Sequence, residues 1–133
     1  MKQGSTKPDS VKAFIRQTLG CDCDESVFEH IENDRGVEAG GVRLRNRINV
    51  GGRLLVYIVD AEGPGFVKSH VPGLLEAGRK DRDDHHFNRI RLVLVAADDS
   101  GVKLAAEHEF KRSKAVDEKV HLHVLDKSVV ASL

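Results

Sequence analysis

Cys21 and Cys23, one residue apart, are the only cysteines of this 133-residue chain. Two thiolates at that spacing can grip one soft metal, or supply half of a four-ligand zinc or iron site. His30 is the nearest further ligand in sequence, so Cys21, Cys23 and His30 form the first candidate metal or redox group. A closed zinc site needs a fourth ligand, and there is no third cysteine. A disulfide at this spacing would close a strained small ring. The neighbouring Asp22, Asp24 and Glu25 disfavour a thiolate and so argue against a nucleophilic cysteine. The alternative is packing. If Gly20 ends a helix in a left-handed conformation, Cys21 falls where an apolar residue folds back on the last turn.

A second group is Arg43, Arg45 and Arg47, at every second position of one stretch. On one strand face such a row is spaced about 7 Å apart and could hold a carboxylate-rich or phosphate-rich partner. Arg43 is also within reach of Asp60 on the next strand, and a solvated sheet face would explain the row without a ligand. A third group lies in DRDDHHF, where Asp83, Asp84, His85 and His86 are metal-competent side chains on a loop that holds them in no set geometry. His121 and His123 share one strand face and could chelate, whereas His108 falls on an apolar face. Strand–GPG–helix at 63–65 has the outline of an anion cradle but lacks the spacing of a phosphate-binding loop, and turn chemistry accounts for its glycines. No nucleophile–base order or paired-carboxylate pattern stands out, so no residue is assigned a catalytic role.

Elements must position these groups. After a polar tail (1–9), Val11, Phe14, Ile15, Thr18 and Leu19 share one helical face, with Asp9 or Ser10 as cap. A second helix follows from Asp22 or Asp24, with Val27, Phe28 and Ile31 as its stripe. Its acids, Asp24, Glu25, Glu29 and Glu32, would be repelled by phosphates, which excludes a DNA-reading helix pair. Residues 42–50 alternate as a half-buried strand, Gly51-Gly52 turns the chain, and RLLVYIVD (53–60) is apolar on both faces, the pattern of a central strand. A helix kinked or restarted at Pro72 comes next, then a strand at 90–96. Residues 102–110 are expected to return as a strand through Asp99-Ser100-Gly101, pairing Leu92 with His108, Leu94 with Ala106 and Arg91 with Glu109. KVHLHVL (119–125) is a last strand, and 127–133 a C-terminal tail.

The expectation is a single α+β domain over 10–126. It has an N-terminal helix pair, two β-hairpins flanking a helix, and a final strand, in one mixed sheet with helices mainly on one face. Lys+Arg and Asp+Glu both number 21, and there is no Trp and one Tyr. Neither the basic excess of a nucleic-acid binder nor a base-stacking platform is present. The N-terminus is not a signal peptide, and no apolar run approaches the roughly 18 residues that span a membrane. A cytoplasmic address with reduced thiols is the default.

The stretch TLGCDCDESVF (18–28) resembles the N-terminal motif of small uncharacterised bacterial proteins, in which a proline often follows the second cysteine; here that position is Asp24. The resemblance implies a bacterial protein and brings no activity and no site residues. The function expected is a non-catalytic accessory or interaction domain. Its partner would be a protein or an anionic ligand, with no DNA and no membrane, and it would need no cofactor. The alternatives are a redox protein using the cysteine pair, with zinc or iron, and an enzyme acting on a small anionic substrate.

Overall fold

A computed structural model describes residues 8–20, 25–97, 101–131 and 133. Its centre is a five-stranded mixed sheet in the order β1 (Ile31–Asp34), β4 (Asn46–Val50), β5 (Leu54–Asp60), β6 (Arg89–Val95), β7 (Val120–Leu125). A small second sheet pairs β2 (Glu38–Ala39) with β3 (Val42–Arg43). β4 runs antiparallel to both of its neighbours, β1 and β5, and β5, β6 and β7 run parallel. The fold is therefore α+β around one main mixed sheet, as its sequence indicates. The doubly apolar β5 takes the central position, with every residue but Asp60 buried.

Parallel neighbours need crossovers, and α2 (Pro64–Asp84) and α3 (Val102–Arg112) supply them. Both crossovers step the same way along the sheet, which puts both helices on one face. There Val67, Val71, Leu74 and Leu75 of α2 and Val102 and Ala106 of α3 meet Leu55, Tyr57, Leu92 and Leu94 in one core. Short elements cover the other face. Val11 of α1 (Pro8–Ala13), the wide turn Phe14–Thr18, and Val130 of α4 (Lys127–Val130) pack over Ile48, Val56, Ile58 and Val93. Gly20, at φ 73°, gives the left-handed stop its position suggested.

Four expectations are corrected. Residues 102–112 are helix, not the return strand of a hairpin. Apolar positions at 102, 106 and 110 fit a 3.6-residue period as well as a period of two, and Leu, Ala and Glu favour helix. The expected turn residues Asp99 and Ser100 lie outside the described residues. Residues 25–29 form one 3-10 turn, and Ile31 then opens an edge strand. The 42–50 strand breaks at Leu44-Arg45. Val42 and Leu44 point into one core, while Ile48 and Val50 point into the other. The C-terminal segment is folded. Asp126 caps α4 by accepting from the Ser128 N–H at 3.0 Å, and Leu133 is buried.

The helix α2 runs through Pro72 without restarting and continues through Asp84, so Asp83 and Asp84 lie in its last turn and not on a loop. At its middle it meets the tip of the β2–β3 hairpin. Gly40 is left-handed there (φ 59°), and a Cβ on it would stand 2.7 Å from the Gly73 carbonyl oxygen. Only glycine lets the two backbones approach so closely.

Candidate functional site

Cys21 and Cys23 lie outside the described residues. His30 is exposed, 3.8 Å from Glu32, and no group of three or more metal-type side chains gathers among the described residues. The arginine row is dispersed by the break at Leu44-Arg45. Arg43 is exposed on the small sheet, opposite Glu38. Arg45, rather than Arg43, reaches Asp60, at 3.4 Å. Arg47 turns under α2. The loop group is likewise absorbed by local contacts. Asp83 sits against Arg82 at 3.0 Å, Asp84 against Lys80 at 2.6 Å, and His85 against Asp81 at 2.8 Å. His86 takes a left-handed φ of 62° just beyond the helix end. His108 is exposed on α3 beside Glu109 (3.6 Å), not in a core.

Among the described residues two polar clusters built around arginines of the main sheet stand out, one on each face. The first is centred on Asp81. Its carboxylate accepts from Arg47 Nε at 2.8 Å, Arg47 Nη2 at 2.7 Å and the Tyr57 hydroxyl at 2.5 Å. The hydrogen bond to Asp81 raises Arg47. Burial pushes Asp81 up, but the hydrogen bonds and charge of Arg47 and Tyr57 outweigh it, so Asp81 lies below its ordinary value. Burial, then Asp81, pushes the Tyr57 hydroxyl well above its ordinary value. Every charge here has its opposite, and the cluster ties β4, β5 and α2 together. A neighbouring brace does the same for the loop before β7. Arg82, itself buried, donates twice to Asp117, each bond 2.8 Å.

In the second cluster the arginines meet histidines, and the nearest acid, Asp117, acts only on His121 and least of the charges around it. Arg89 and Arg91 alternate on β6, and parallel pairing sets Arg91 beside His121 and Val93 beside His123. Arg89 Nη1 donates to His121 Nε2 at 3.1 Å and Arg91 Nη1 to His123 Nε2 at 2.9 Å. A guanidinium only donates, so each imidazole must accept at Nε2 and stay neutral, with its proton on Nδ1. Burial first, then the charge of Arg91, lowers His123 to about 4 and shifts His121 in the same direction. Arg91 is itself lowered, by burial and by Arg89, and its Nε is buried without a hydrogen-bond partner. Among the described residues, no carboxylate pairs with Arg89 or Arg91. A groove of about 430 Å³ runs alongside, lined by Arg91, His121 and His123 and by Phe110 of α3.

Both pairs show period two in the sequence. The sequence alone does not join them as one site, because a hairpin over 90–110 pairs Arg91 with Glu109 instead. With 102–112 helical, β7 becomes the parallel neighbour of β6, and the two arginines meet the two histidines.

The class so defined is a mixed-sheet α+β domain with a cationic arginine–histidine ladder on its outer parallel strands. Compared with family models, curated proteins and solved structures, the chain matches none. Among the described residues, no helix is long and apolar enough to cross a membrane.

Proposed function

We propose that this protein is a non-catalytic cytoplasmic binding domain whose ligand is an anion held by Arg89 and Arg91, with His121 and His123 shaping the site. One observation carries the reading: Arg91 is half-buried with no carboxylate, one buried donor unpaired and a second cation beside it. Removing a charge from water without a counter-charge costs free energy, and a bound carboxylate or phosphate would recover it through paired donors. The expected anionic partner is thus retained, but moved from Arg43, Arg45 and Arg47 to the β6–β7 ladder.

The test is thermal unfolding in phosphate against sodium chloride of equal ionic strength, for the wild type and Arg91→Met. Phosphate stabilises proteins generally by exclusion from their surface, so the variant sets the baseline. A bound ion at a hundred times its Kd adds roughly 2.7 kcal/mol. The wild type should therefore gain several degrees more than the variant. Equal gains in both would defeat the proposal.

A further inference from the structure

The strand that carries the histidines is also an open edge. Lys119 O accepts from Ile90 N at 3.0 Å and Leu125 O from Ala96 N at 2.9 Å. The backbone groups of 119, 121, 123 and 125 therefore face β6, and those of Leu122 and Val124 face outward. The Val120 N–H is taken by Asp117 O at 3.2 Å. Among the described residues, nothing pairs with the outward groups of Leu122 and Val124. The opposite edge, β1, is four residues long, with Glu32 and Asp34 exposed, which is how proteins blunt an edge. The β7 edge is six residues long, carries no acid and lies along the 430 Å³ groove.

Resting on the anion-binding reading, we propose that the ligand is an extended acidic segment of a partner protein, which adds to β7 as a sixth strand. Its main chain would pair with the outward groups of Leu122 and Val124. Its alternate carboxylates would lie over Arg91, His121 and His123, because the i, i+2 repeat of a paired strand, about 7 Å, matches the spacing of those side chains. The intervening residues would face Phe110, Leu122 and Val124, which are half-buried. Lys103 and Glu107 line the groove from α3 and Glu118 from the loop before β7; the two acids outweigh the one lysine, so carboxylates belong on the arginine face. Asp117 does not compete, because Arg82 holds it.

The experiment is fluorescence anisotropy with a labelled peptide of about ten residues, alternating Glu and Val. Two further peptides carry N-methyl groups on alternate amides, one in each register. Each lost main-chain hydrogen bond costs about 1 kcal/mol. Methylation in one register should therefore weaken binding by about tenfold or more and in the other leave it nearly unchanged, and Arg91→Met should weaken the parent peptide severalfold. Equal binding of both methylated peptides, or equally tight binding of an oligothymidylate of matched charge, would overturn strand addition. Phosphate-specific stabilisation without peptide binding would overturn this inference and leave the anion reading standing. Failure of both would remove both.

Discussion

Arg47 and Arg91 are two half-buried arginines on opposite faces of the same sheet. Arg47 has a bidentate carboxylate, so its charge is favoured by the fold and its pKa lies above the ordinary value. Arg91 has a neutral imidazole and another arginine, and its pKa lies below the ordinary value. Burial alone therefore does not mark a site. Burial without a counter-charge does, because the folded protein then holds free energy that a ligand can recover.

Removing either side of that comparison should have opposite consequences. The largest effect belongs to Asp81→Ala, which leaves the Arg47 guanidinium and the Tyr57 hydroxyl without their acceptor. Breaking one side of such a pair costs about 3–5 kcal/mol, read as a drop in the urea midpoint. A loss below about 1 kcal/mol would mean that the two clusters do not differ as described. Arg91→Met is expected to behave oppositely, leaving the ligand-free protein equally stable or up to about 1 kcal/mol more stable, since it removes a desolvated charge. A loss of several kcal/mol would show Arg91 to be structural, like Arg47. The smallest effect is at Leu104, which is 78% exposed on α3. Leu104→Lys should change stability by no more than about 0.5 kcal/mol. On the apolar face of a strand the same change would cost several times that.

One ambiguous element decides how much of the site is legible in the sequence. The central strand, the apolar face of the first helix with its glycine stop, and the α+β class with its mixed sheet are all legible, because long apolar runs and left-handed glycines leave few options; the helix start is not, since the expected caps Asp9 and Ser10 lie inside α1, Pro8–Ala13. Residues 102–110 are not, since Val102, Ala106 and Phe110 satisfy both periods. That ambiguity decides whether the last strand is antiparallel or parallel to its neighbour, and hence which side chains meet. Likewise the arginine row of 42–50 could not be known to break, because the bend is set by Arg45 N donating to Ile58 O at 2.7 Å, a contact made only in the folded sheet. Asp81 and Tyr57 gave no local signal, being 24 residues apart.

The most direct test of the central claim is an NMR titration of the His123 imidazole with and without phosphate. In the ligand-free protein burial and Arg91 hold this histidine at about 4, below its unfolded value of about 6.5. It therefore contributes stability in full above about pH 6.5, and loses it as pH falls from there toward 4. An anion beside Arg91 adds negative charge next to the ring and favours the imidazolium. Titration near 4 without phosphate, rising by about a unit or more at saturation, is the expected result. An ordinary value near 6.5 in the ligand-free protein, or a depressed value that phosphate does not move, would contradict the assignment of Arg91 and its neighbours as an anion site.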